Sequence, residues 1–195
     1  MTEKADPGKV TIERDDIITD MPDNHQSNTY DIRAGISNIE DRAAFLCSLR
    51  AIAELNNTRI ICFNADMLAG IRHAHVAMFH SVRAYKKGTM VSNTLEMEAL
   101  LYAAGSRQCS LAASFGIHPG KNNLYVCCYP TSHKVWDELV PLIHIGEDSW
   151  SGMTPKKRAN LQDLFGITDE EIATTNGYRI VDLVLERIAL LEVYR

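Results

Sequence analysis

The stretch RIICFNADMLAGIRHAHVAMFHSVRAYKKG, residues 59–88, changes period part-way along, and that change decides the class of fold. Arg59-Ile60-Ile61-Cys62-Phe63 is β-branched and apolar, the pattern of a buried strand, and it ends at Asn64-Ala65-Asp66. Beyond it, Leu68, Ile71, Met78, Phe79 and Val82 fall within roughly a 100° arc at 3.6 residues per turn. That spacing predicts a helix over Met67–Lys87, closed by Gly88.

Upstream, Tyr30–Ile36 alternates as a strand, and Asp41–Leu55 reads as a helix with Phe45, Leu46, Leu49 and Ile52 about a turn apart. Downstream, Asn93 fits an N-cap with Glu96 at N3, opening a helix that carries Met97, Leu100, Leu101 and Ala104 on one face. Gly105 breaks it, and a short helix follows over 107–115. Leu124–Tyr129 is a further strand, stopped by Pro130. Helices are expected near His133–Ile143 and from Pro155 behind a Thr154 cap, Thr168–Glu171 forms a capping box, and a last helix runs from about Tyr178 to the end. The expectation is an α/β fold: a small, three- to four-stranded, largely antiparallel sheet packed with about seven helices. Residues 1–29, with Pro7, Gly8 and Pro22, read as a loosely held acidic leader in which Val10–Ile18 could make an edge strand, and 30–195 as a single α/β domain.

Composition narrows the function. Of 195 residues, 46% are hydrophobic and 23% charged, an ordinary globular balance. No apolar run approaches the roughly 20 residues that span a bilayer, and the first residues lack a secretory stretch. Five cysteines, odd in number, without a CxxC pair and set among apolar neighbours, predict reduced and mostly buried thiols in a cytoplasmic protein. The net charge of −5 divides unevenly: −6 over residues 1–41, +4 over 42–145 and −3 over 146–195. The positive middle leaves room for a local anion-binding patch.

Catalytic and cofactor motifs are missing. Gly116–Lys121 superficially resembles a phosphate loop but is one residue short and precedes a strand. On one helix His73 and His75 point about 200° apart, while His73 and His80 lie about 10 Å apart along the axis, so neither pair shares an ion. Asp137-Glu138 and Glu170-Glu171 read as solvated helix faces and a cap, and no Ser or Cys sits in a nucleophile context. The reading is a non-enzyme with no metal and no cofactor.

Two features depart from that bland background. With Arg72 at 0° on the long helix, His73 falls near 100°, His80 near 80°, Arg83 near 20° and Lys87 near 60°, with Lys86 at the other edge. No carboxylate interrupts the chain between Asp66 and Glu96, whereas a merely solvated face usually mixes both signs. Anion binding and an ordinary solvated face both remain open on this pattern, and His75, inside the apolar arc, reads as a core histidine. The second feature is the terminal helix. Val181, Val184, Leu185, Ile188 and Leu191 make one apolar face; Ile180, Leu183, Leu190 and Tyr194 make a second, interrupted by Arg187. Two faces mean either burial between other elements or a side left for a partner.

These segments also carry a resemblance. The run Asn93-x-x-x-Met97-Glu98-x-Leu100-x-x-Ala103-x-Gly105-x-Arg107-Gln108 resembles the signature of the small subunit of the KEOPS complex, the PRPK-binding protein (TPRKB) family. Asn64-Ala65-Asp66, Leu185-Glu186-Arg187-Ile188-Ala189-Leu190 and His80 match its archaeal members in order and spacing. The resemblance implies a non-catalytic subunit that binds a small atypical kinase behaving as an ATPase. It also implies recruitment of tRNA through the single-stranded 3′ CCA end, for N6-threonylcarbamoyladenosine formation. Under it, Arg72, His73, His80, Arg83, Lys86 and Lys87 are expected to contact the tRNA end. Arg107 joins them, with a salt bridge to Glu98 or Asp66 as its structural alternative. Ile180, Leu183, Arg187, Leu190 and Tyr194 are expected to face the kinase, and Glu98, Met97 and Gly105 to be structural. The chain departs from the family pattern in its acidic leader, which could fold over the basic stripe, and in a longer segment between Ile145 and Asn176.

Overall fold

A computed structural model describes residues 30–150, 152–174 and 180–193. The leader, with the edge strand expected in it, and Tyr194 lie outside the described residues. Four strands, β1 (Asp31–Ile39), β2 (Arg59–Asn64), β3 (Gly120–Tyr129) and β4 (His144–Ile145), form one sheet in the order β2-β3-β1-β4. Every neighbouring pair is antiparallel, with β1 and β3 in register from Asp31↔Cys128 to Ile39↔Gly120.

Eight helices are present among the described residues. They are α1 (Arg42–Leu55), α2 (Ile71–Lys87), α3 (Leu95–Ala103), α4 (Cys109–Ala113), α5 (His133–Leu139), α6 (Pro155–Phe165), α7 (Asp169–Thr174) and α8 (Ile180–Val193). They cover both faces of the sheet, which is why β2 and β3 read as continuous apolar runs rather than alternating ones. The period of two then sorts neighbours between two cores. Ile60, Cys62, Leu124, Val126 and Cys128 meet Phe45 and Leu49 of α1 and Val135, Trp136 and Leu139 of α5. Ile61, Phe63, Tyr125, Cys127 and Tyr129 meet the larger layer built by α2, α3, α4, α6 and α8.

The expected α/β class and small antiparallel sheet are therefore observed. Asp41 caps α1 by accepting the amide protons of Ala43 and Ala44, and Gly88 closes α2 in the left-handed conformation. Thr154 and Thr168 cap α6 and α7 as expected. Several boundaries differ. The cap of α3 is Thr94 rather than Asn93, since it is the Thr94 hydroxyl that accepts from the Met97 amide. α2 begins at Ile71, four residues late: Asn64–Gly70 is spent on a turn in which Leu68 and Ala69 are buried, and Gly70 adopts a φ of 106°. The two-residue β4 is too short to leave a periodic signal. Of the cysteines, Cys62, Cys127 and Cys128 are buried and Cys47 and Cys109 exposed, all five free. Burial pushes the Cys62 thiol up to about 12.

The segment after β4 is built into the larger core. Leu161, Phe165 and Ile167 join it, the Tyr125 hydroxyl donates to Asp148 at 2.8 Å, and the Lys157 ammonium donates to the Trp150 carbonyl at 3.1 Å. Burial lowers the Lys157 pKa, against the opposing pull of Asp66 and Asp148.

Candidate nucleic-acid and partner interfaces

The turn after β2 aims α2. The Asn64 side chain accepts from the Asp66 amide at 3.1 Å, the Ala65 amide donates to the Asn123 carbonyl at 2.8 Å, and the Asn123 side-chain amide donates to the Asp66 carboxylate at 3.1 Å. Asn64-Ala65-Asp66 is thus a backbone hinge clamped onto β3. α2 has no side-chain cap at Gly70. Instead His73 reaches back, its Nδ1 accepting from the Ala69 amide at 3.1 Å while Nε2–H donates to the Ala103 carbonyl at 2.8 Å.

That geometry corrects the expectation for His73. Its ring is 0% exposed, near Phe115 and Phe165, and ties the start of α2 to the end of α3. Desolvation first, then the charge of Lys157, lower its pKa to about 4 against the opposing pull of the Ala103 hydrogen bond, so it is neutral and cannot belong to a cationic stripe at neutral pH. His75 changes places with it: it is half-buried, its ring 6.0 Å from that of Tyr30, with a pKa lowered mainly by burial. The apolar arc of α2 is wider than the sequence suggested because α3 packs along one flank and α8 along another, so positions near 80–100° are covered too.

Arg72, Arg83, Lys86 and Lys87 are exposed. α8 lies alongside α2 and brings acids to the stripe. Arg72 is 3.5 Å from Asp182, Arg83 is 3.5 Å from Glu192, and His80 Nδ1 donates to the other oxygen of Glu192 at 2.6 Å. His80 is mostly covered and stacks on Tyr102, with ring centroids 5.4 Å apart and 21° between planes. Lys86 and Lys87, at the open end of the helix, make no ion pair among the described residues. Arg107 lines a small cavity with Glu98, Val91, Leu101, Tyr102 and Leu191. Glu98 is a buried acceptor as expected, 1% exposed and receiving the amides of Val91 and Ser92 at 3.0 and 2.9 Å. Met97 packs against the larger core, and Gly105, at a φ of 56°, ends the α3 turn.

The second apolar face of α8 is mostly internal. Ile180 and Leu183 are 3% and 4% exposed within the larger core, because α6 packs against α8 in addition to α2 and α3. This corrects their expected place on a partner surface. Arg187 is held by Glu171 of α7 at 2.6 Å. Leu190 is half-buried, and Tyr194 lies outside the described residues.

Sequence reasoning missed Asp182, Glu192 and Tyr102. Glu192 lies 112 residues from His80, so a helical projection of α2 alone had no means of placing it there. Among the described residues no three His, Cys, Asp or Glu side chains are grouped to hold a metal ion, and no helix is long and apolar enough to cross a membrane.

What the fold and these surfaces define is a small α/β protein that presents charged and apolar helix faces. Residues 27–192 match the family described as kinase binding protein CGI-121, and the chain belongs to that family, the TPRKB family of the resemblance above. No curated protein matches the chain closely enough to count as a relative.

Proposed function

We propose that this protein is a non-catalytic subunit of a KEOPS-type complex that binds the small kinase/ATPase and recruits tRNA by its 3′ CCA end for N6-threonylcarbamoyladenosine formation. The kinase half follows from membership of a kinase-binding family. The RNA half is supported by one observation: Arg83, Lys86 and Lys87 cluster at the exposed end of α2, where the two lysines have no carboxylate partner among the described residues. Phosphates are drawn to such closely spaced cations, and unpaired bases stack on neighbouring planar side chains. Arg72, at the other end of α2, and His80 and Arg107 complete the expected contacts; His73, buried, takes no part. The kinase-facing surface is the outer side of α8 around Leu190 and Arg187. On this reading the protein works in the cytoplasm, a location its five free cysteines support.

A pure assembly subunit is favoured by a different observation, the pairing of Arg72 and Arg83 with acids of α8. Binding of tRNA with and without its terminal CCA, across a salt series, separates the two. The recruiter reading expects affinity to fall on CCA removal and with rising salt. It expects Lys86→Glu combined with Lys87→Glu to weaken binding by about tenfold or more and to flatten the salt slope by about two. Affinity indifferent to CCA, salt and charge reversal would leave the assembly reading in its place.

A further inference from the structure

We propose that Asp182 and Glu192 form a built-in competitor for the basic surface of α2: they occupy Arg72 and Arg83 in place of RNA phosphates, so that an RNA chain engages those arginines only by displacing them. This rests on the reading above that α2 receives tRNA.

The geometry is that of a matched pair of rows. The two acids are ten residues apart on α8, about 15 Å of helix rise, and the two arginines eleven apart on α2, about 16.5 Å. α8 therefore runs parallel to α2, one acid at each end of the stripe. The acids are held there independently of the ion pairs, because Ile180, Leu183, Val184 and Ile188 anchor α8 in the core at 4% exposure or less. Ordering the carboxylates over the stripe thus costs little beyond what packing already supplies.

The pairs are also built to open. Both arginine contacts are 3.5 Å, longer than the roughly 2.7–2.9 Å of a strong charge-assisted hydrogen bond, and both arginine side chains stay about half exposed at 55% and 44%. Exposed pairs of this kind are weak. The shorter contact of Glu192 goes to His80, so loss of the Arg83 contact leaves the carboxylate held. Lys86 and Lys87 stand just past Glu192 with no such competitor among the described residues. A polyanion first meets those two cations, and reaches Arg83 and Arg72 only if its contacts outweigh the carboxylates. This raises the threshold against stray anions, a repulsive element of specificity.

The test measures binding of full-length protein to a tRNA transcript ending in CCA and to inorganic polyphosphate, at low and high salt. The proteins are the parent, Glu192→Gln, Asp182→Asn, and the Lys86→Glu/Lys87→Glu pair. Glu192→Gln should bind tRNA about two- to fivefold more tightly than the parent, with the gain shrinking at high salt. Asp182→Asn should also tighten binding while melting slightly earlier, because Asp182 favours the N-terminal turn of α8. These opposite signs exclude a general loosening of the fold as the cause. If the parent binds tRNA and the lysine reversal abolishes it, but both neutralised variants bind equally or more weakly, the competitor proposal fails and the recruiter reading stands. If tRNA is not bound yet Glu192→Gln tightens polyphosphate, the acids screen a phosphate-binding surface that does not serve RNA, and the recruiter reading and the RNA competitor fall together. No binding of either anion by any protein overturns both.

Discussion

Acid should destabilise this protein through its buried imidazoles, His73 foremost, before its carboxylates protonate. His73 is fully buried, its Nδ1 accepts a backbone proton and its Nε2–H donates to a carbonyl, so a second ring proton has nowhere to go. Its folded pKa of about 4 lies below the model-peptide value of 6.5. The sign follows directly: between those values the unfolded chain binds a proton that the folded chain refuses, so stability is complete above pH 6.5 and is lost as pH falls towards 4. Linkage gives a loss of about 2 kcal/mol at pH 5 relative to pH 8, approaching about 3 below pH 4. His75, also lowered, adds to the same side. Ordinary carboxylates are still largely ionised at pH 5, so the window from pH 8 to 5 isolates the imidazoles. The assay is urea unfolding at both pH values for the parent and His73→Phe. The variant leaves the Ala69 amide and Ala103 carbonyl without their partner, so its stability at pH 8 should drop by about 2–4 kcal/mol, but its pH dependence should lose about 2 kcal/mol. A parent equally stable at pH 8 and 5, or a variant with the parent's slope, would refute the assignment.

Two further outcomes follow from packing. Gly105→Ala should cost about 1–2 kcal/mol, since the residue sits at positive φ and the new Cβ would stand 3.1 Å from the Phe165 ring. Gly88→Ala, at a similar φ but with open space around it, should cost less, and matched melting temperatures for the two would remove Phe165 from the account. Leu183→Asp should unfold the domain, whereas Leu190→Asp should leave it folded and abolish kinase co-purification. A folded Leu183→Asp, or an intact complex with Leu190→Asp, would reassign the faces of α8.

What was legible in the sequence was whatever depends on neighbours within about one turn. Thr154 and Thr168 lie within three residues of the amides they cap, and β2 and β3 show as short, unbroken apolar runs. The Asn93 cap missed by one position because Asn and Thr compete for that role on nearly equal terms, and the local loop geometry chose Thr94. The exchange of His73 and His75 has another cause. A helical projection assumes one covered side, but α2 is covered by α3 and α8 together, so the arc of burial reaches beyond 100°. Of the candidate site, the cations themselves were legible and their neutralisation was not. Asp182 and Glu192 are supplied from more than a hundred residues away, by the packing of a helix whose position no local pattern encodes.

The same packing explains why the terminal helix looked oversupplied with apolar surface. It is the element over which α2, α3 and α6 close, so Ile180 and Leu183 meet the core together with Val184 and Ile188. Its remaining directions carry Asp182 and Glu192 towards α2 and Arg187 towards Glu171. One helix thus contributes core, counter-charge and the half-exposed surface around Leu190. Deleting it would remove all three at once and report on none. Glu192→Gln removes counter-charge while leaving Ile188 in the core. Leu190→Asp alters the outer side while leaving both acids on the arginines. If tRNA affinity responds to the first and kinase association to the second, the two functions occupy different faces of the same helix. If each substitution moved both readouts, α8 would have to shift as a body when either ligand binds, and the recruiter would be a coupled device rather than two adjoining surfaces.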